Sequence, residues 1–179
     1  MALKQTSQTI MIGVNTPEFD AGTLSFKEAS VDLQLNPLDN EVFVVQAIEF
    51  DLASSVGDND FDVTNPGDVA SLLCSVSTTS RTTVGTLADS NVLATCHMAV
   101  ATADASGKPL AFDFQQKPDT AASILDYIGI IATADFFVQT NTVALNDDIN
   151  GGSLRLYGYR AKADAATYAA LVQSEVLSS

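Results

Sequence analysis

The chain has no tryptophan, one histidine, two cysteines, and only eight Lys or Arg residues against 22 Asp or Glu. Each scarcity removes a class of chemistry. One histidine, His97, cannot build the multi-histidine metal site of a cupin-like barrel. A lone His in a strand is far more often structural than a base or a ligand. A Ser-His-Asp triad is not excluded by counting, but no Gly-x-Ser-x-Gly elbow surrounds any serine. Cys74 and Cys96 form neither a CxxC nor a Cys/His metal spacing. Both are expected to be free and buried, as small thiols commonly are; a disulfide stays open if their strands are neighbours. No Gly-rich phosphate cradle is present, and the absence of Trp weakens a sugar-stacking surface. The longest apolar run, Tyr127 to Val138, is broken by Thr133 and Asp135. It falls short of the roughly 20 residues that span a bilayer. The opening residues, Met1 to Gln8, carry neither the apolar core of a secretory signal nor a basic arm.

What remains is an acidic, weakly charged, strand-rich chain. Its 179 residues suit one domain, expected over 1–179, with an N-terminal arm and strand in 1–20 and a C-terminal helix over 164–177. The formal net charge of -14 repels phosphate backbones and anionic lipid. Charged residues make up only 17% of the chain, so Ser, Thr, Asn and Gln supply much of the polar surface.

Period-two alternation dominates. In Glu41 to Leu52, residues Val42, Val44, Ile48, Phe50 and Leu52 share a parity and are expected to face a core. Phe43 and Val45 fall early on the other face, Glu49 and Asp51 late, so one end of that face is expected to be covered and the other wet. Further buried rows are Ala70, Leu72, Cys74 and Val76, opposite Ser71, Ser75 and Ser77; then Val92 to Val100; then Leu110, Phe112 and Phe114. Ile10, Ile12 and Val14 make a short strand. A phase change between Phe26 and Val31 predicts a bend over Lys27 to Ser30. Ala134 to Leu145 and Ser153 to Lys162, joined through Asn150-Gly151-Gly152, read as a hairpin. Pro118 to Leu125 reads as a short helical turn capped by Asp119. Asp164 to Leu177 reads as a better helix, with Tyr168, Leu171, Val172 and Val176 as its apolar row. That row either packs on its own sandwich or reaches a neighbouring subunit, which makes these four the candidate subunit contacts.

Other chemistry is thin. Asp58-Asn59-Asp60-Phe61-Asp62 begins like a calcium loop, but Val63 and Val69 stand where an EF-hand needs Gly and Glu. Glu49 and Asp51 read as a solvated strand end rather than a glycosidase pair. Arg155, Arg160 and Lys162 read as salt-bridge partners or edge-blocking charges rather than a genome-binding stripe. No catalytic residue, cofactor or metal is expected, and the chain is read as non-enzymatic.

About eight or nine strands separated by turn signals indicate an all-β sandwich or barrel, with a short C-terminal helix. Asp39-Asn40-Glu41-Val42-Phe43-Val44-Val45-Gln46-Ala47-Ile48-Glu49-Phe50 resembles an early framework strand of single jelly-roll viral capsid proteins. The stretch Ala134 to Asn141 through Leu154 to Arg160 is similar to their final strand pair. In size and lack of a basic arm the chain resembles the vertical single jelly-roll group of membrane-containing bacterial and archaeal viruses. The resemblance implies a β-sandwich with two facing sheets, located in the virion as a major or minor capsid subunit of an icosahedral shell. It implies copies of the chain itself as partners, with a second capsid protein also considered. The missing basic arm argues against direct nucleic-acid packaging. The alternative is a carbohydrate-binding, adhesin-like or phage decoration or fibre module.

Overall fold

The computed structural model describes residues 3–17, 26–52, 69–102, 109–115, 119–121, 125–143 and 152–177. Its strands are β1 (Lys4–Gln5), β2 (Ile10–Asn15), β3 (Lys27–Asp32), β4 (Glu41–Leu52), β5 (Val69–Ser77) and β6 (Val92–Thr102). They continue with β7 (Pro109–Gln115), β8 (Asp119–Thr120), β9 (Gly129–Ile131), β10 (Asp135–Val143) and β11 (Gly152–Lys162), followed by helix α1 (Ala165–Leu177). The pairings are antiparallel and nested. β5 pairs with β6, β4 with β9, β3 with β10, and β2 with β11. Successive ribbon pairs alternate between two sheets, giving β2-β11-β4-β9 in one and β3-β10-β5-β6 in the other. This is the connectivity of a jelly-roll sandwich. β1 and β8 add to the first sheet and β7 extends the second.

The main core lies between the sheets. Phe43, Ile48, Phe50, Leu154 and Leu156 of the first sheet meet Leu72, Val76, Met98, Phe136 and Val138 of the second. Each such side chain contributes about 1.5–3 kcal/mol on leaving water. A second cluster sits outside the first sheet, where Val42, Val44 and Ala161 are covered by Tyr168, Leu171 and Val172 of α1.

These two clusters correct the expected phase of β4. Register against β11 shifts between Ala47↔Tyr157 and Val45↔Gly158, leaving Gln46 as an extra residue. One inserted residue reverses every side chain beyond it. Phe43 and Val45 therefore join Ile48, Phe50 and Leu52 in the main core, and Val42 and Val44 point outward under the helix. The outer face is covered at one end and wet at Glu49 and Asp51, as its composition suggested. Gly158 lies beside the bulge and faces the core. A Cβ there would sit 2.3 Å from the Val44 carbonyl oxygen and 2.4 Å from Phe43 Cε1.

Three further expectations change. β10 and β11 are not a hairpin: β10 pairs with β3 and β5, β11 with β2 and β4, so the two lie in opposite sheets. An Asn-Gly signal marks a reversal of direction but not which sheet receives the next strand. Asp119 falls in a strand instead: Asp119–Thr120 pairs with Ala47 and Ile48, and residues 122–124 of the expected helical turn lie outside the described residues. No bend interrupts Lys27 to Ser30, which runs in unbroken register with β10. The irregularity comes later, at Gln34, whose φ of 52° accompanies a 2.7 Å hydrogen bond from its N–H to Asp32 Oδ1. The rows of β5 and β6 stand in part: Leu72, Cys74 and Val76, and Ala94, Cys96 and Met98, face the core, a register shift between Val76 and Ser77 brings Leu93 rather than Val92 against it, and the side chains of Ala70 and Val100 lie outside the described residues. β7 forms where expected, with its side chains outside the described residues.

Candidate functional site

His97 lies half-buried on β6, in register with Leu73 and Gln115. Among the described residues no group of three or more His, Cys, Asp or Glu could hold a metal ion. The Asp58 to Asp62 stretch lies outside the described residues. Cys74 and Cys96 are buried and directly opposite each other, with no disulfide between them. Glu49 and Asp51 are exposed, and Tyr157 Oη donates to Glu49 Oε2 at 3.2 Å. Lys162 pairs with Asp39 at 2.8 Å and Arg160 with Glu41 at 3.3 Å. Arg160 Nη2 also donates to the Leu33 carbonyl at 2.8 Å, so these two cations hold strand ends together. Arg155 is exposed, with Glu49 opposite it in register. No helix among the described residues is long and apolar enough to cross a membrane.

Two surface features are built with more care. The first is the α1 face. Asp164 caps the helix: its carboxylate accepts from Thr167 N at 2.9 Å and Thr167 Oγ1 at 2.7 Å. Those bonds hold its pKa below the ordinary value. Tyr168, Leu171 and Val172 pack on the outer cluster of their own sheet, whereas Val176 remains 61% exposed. The buried residue of the last turn is Glu175. Its Oε1 accepts from Ala132 N at 2.9 Å and its Oε2 from Thr133 N at 3.0 Å, fastening the helix to the β9–β10 turn. Burial pushes the Glu175 carboxyl above its usual pKa, against the opposing pull of those bonds. Beside this turn, Val176, Phe137 and Thr133 line an open apolar cleft of about 250 Å³. Leu38, Val176 and Leu177 stand exposed on the surface.

The second feature is the segment 78–91 between β5 and β6, which folds back over the outer face of the second sheet. Gln139 is fully buried; its Oε1 accepts from Ser75 Oγ at 2.8 Å, and its Nε2 donates to Ser77 Oγ at 2.7 Å. Glu28 accepts from Gln139 Nε2 (2.9 Å), Ser80 Oγ (2.6 Å) and Arg81 N (2.8 Å). The Arg81 guanidinium donates to Asn91 at 2.7 Å and Asp89 at 3.1 Å. Asp89 has a lowered pKa, chiefly from the Thr86 N–H it accepts, with Arg81 adding to the effect. Gly85 N donates to Ser75 Oγ at 3.0 Å, and a Cβ there would fall 2.3 Å from Val92 Cγ2. The hydroxyls of Ser75 and Ser77 are thus engaged in holding a segment. The network makes the segment rigid and presents Leu87, 66% exposed.

Sequence reading missed Glu175 and this network. The spacing did contain Glu175: Tyr168, Leu171, Val172 and Glu175 fall at i, i+3, i+4 and i+7, a tighter helical stripe than one ending at Val176. A buried carboxylate was passed over because acids are ordinarily placed in solvent. Ser75 and Ser77 had the parity of an outer face, and nothing local showed that a segment returns to cover them.

No family model matches the chain, and no curated protein matches it. Solved structures do. The VP1 pentamer of human polyomavirus 6 is similar with a TM-score of 0.53 at 8% identity, covering 92% of this chain and 99% of that one. That of human polyomavirus 7 has a TM-score of 0.52 at 8% identity, covering 91% of this chain and 100% of that one. The Merkel cell polyomavirus VP1 pentamer has a TM-score of 0.51 at 7% identity, covering 92% of this chain and 100% of that one. At these identities the likeness is one of fold, and it places the chain among jelly-roll sandwiches.

Proposed function

We propose that this chain is a viral structural protein, a capsid subunit that assembles with copies of itself into an icosahedral shell and resides in the virion. The observation that carries the reading is the nested strand pairing of a jelly roll, on a chain whose described polar residues form networks that stiffen its surface. Its similarity in fold to the VP1 pentamers of human polyomaviruses 6 and 7 supports the same reading. The subunit is one jelly-roll unit over 1–179 and acts without enzymatic chemistry. Its finer placement is the vertical single jelly-roll type of membrane-containing bacterial or archaeal viruses, a reading that the acidic charge of -14 supports. A chain so charged does not package nucleic acid directly; a second capsid protein or an inner layer performs that task. Tyr168, Leu171 and Val172 serve the subunit's own packing, leaving Val176 and the exposed Leu177 as the part of the helix available to a neighbour.

Size-exclusion chromatography with light scattering, followed by electron microscopy of the purified protein, tests this. Capsomers or closed shells are expected. A monomer that persists at high concentration and across salt overturns the reading. Val176→Asp is expected to weaken assembly while leaving the melting temperature of the subunit within about 1–2 °C, since an exposed substitution changes stability little.

A further inference from the structure

Cys74 on β5 and Cys96 on β6 are register partners at the centre of the second sheet. No disulfide joins them, and both face the main core, at 0% and 5% exposure. Opposed residues on antiparallel strands lie roughly 4.5–5.5 Å apart at Cα. Disulfides span roughly 4.4–6.8 Å between Cα atoms. The two side chains also leave the sheet on the same face, so their sulfurs enter the same space. Their separation in sequence forms no redox motif; only the strand register brings them together. Neither thiol has a part in the assembly surface.

We propose that Cys74 and Cys96 are a redox-active dithiol that oxidises to a cross-strand disulfide, stapling β5 to β6 at the base of the segment 78–91. With a peroxide as oxidant the chemistry balances. The Cys96 sulfur, the less enclosed of the two, attacks the peroxide; the O–O bond breaks, a sulfenic acid forms and water leaves. The Cys74 sulfur then attacks the Cys96 sulfur, the S–S bond forms, the S–O bond breaks and a second water leaves. Two thiols have lost two protons and two electrons, and one peroxide has become two waters. Burial and the neighbouring thiol push the Cys74 pKa up, so the pair does not ionise readily in the closed sheet. Oxidation is therefore paced by local opening of the strands, and slow. A subunit made in a reducing cell then assembles as a dithiol and is stapled after release into an oxidising setting. Only that timing rests on the capsid reading; the chemistry is a property of the chain alone.

The test uses the purified full chain, exposed to hydrogen peroxide under native conditions, quenched by alkylation and measured by intact mass and peptide mapping. The expected product is two hydrogens lighter, resists alkylation on denaturation, and yields one linked peptide pair containing Cys74 and Cys96. Its urea-unfolding constant falls roughly a hundredfold, the effect of closing a loop of this size, and returns to the starting value with reductant. Cys96→Ala and Cys74→Ala, checked for native circular dichroism, are expected to lose the product. Two free thiols after native exposure overturn the proposal. So do sulfinic acids without a link, a link only between chains, or a link that forms only in urea. A failure to assemble shells would refute the capsid reading and leave this result untouched.

Discussion

Replacing Glu175 with alanine removes the side chain that fastens the last turn of α1 to the Ala132 and Thr133 amides. One buried and one part-buried N–H donor lose their acceptor, at about 1–3 kcal/mol for a buried group and less for the other. Part of this is recovered, because an ionised carboxylate no longer has to leave water, and part because alanine favours the helix. The net expectation is a loss of roughly 2–3 kcal/mol. It should appear as a lower urea midpoint and as faster amide exchange at Ala132 and Thr133. Glu175→Gln supplies the pH reference, since it keeps one acceptor and does not titrate. Burial raises the Glu175 pKa in the folded protein, so the folded state holds this proton more tightly than the unfolded chain. The contribution to stability is then fully present below the ordinary glutamate pKa and is lost as pH rises through the raised value. Wild type minus Glu175→Gln should therefore fall with rising pH across that window. An alanine variant within about 0.5 kcal/mol of wild type, the range of neutral surface changes, would refute the fastening. A difference that grows with pH would refute the assignment of burial as the dominant cause.

Gly158→Ala places a methyl against Val44 O and the Phe43 ring and is expected to cost about 1–3 kcal/mol by denaturant unfolding. Gly13→Ala, with nothing within 4 Å, should be near neutral and controls for the loss of a glycine in a strand. Deleting Gln46 should remove the β4 bulge and turn Phe43 and Val45 out of the core. Loss of Phe43 alone is about 3–5 kcal/mol, so the deletion should abolish dispersed amide signals in a two-dimensional NMR spectrum; a well-dispersed spectrum would show that the strand re-registers at little cost. Asp39, Asp89 and Asp164 have lowered pKa values, from the Lys162 hydrogen bond, the Thr86 amide and the Thr167 amide respectively. Their contributions are present above the ordinary aspartate pKa and fade as pH falls through the lowered values. A thermal-melt series should accordingly decline on the acid side, opposite in sign to Glu175.

Alternation along the chain was enough to place most strands, the faces of β5 and β6, and the helix with its Asp164 cap. Those features depend on residues two, three or four positions apart, and that spacing is written in the sequence. The scarcity of His and of Lys and Arg narrowed the chemistry that the sequence offers. The phase of β4 was not legible, because a single bulged residue at Gln46 reverses the faces and its presence depends on the partner strand β11. Likewise β10 and β11 carry a turn signal that any reversal shares, and only packing of the two sheets decides that they part company. Glu175, Gln139 and the Cys74–Cys96 pair acquire their roles from residues tens of positions away. Local preferences set which segments become strands; the closure of one sheet over the other determines which side chains meet, because burial and hydrogen bonding are satisfied only between distant parts of the chain.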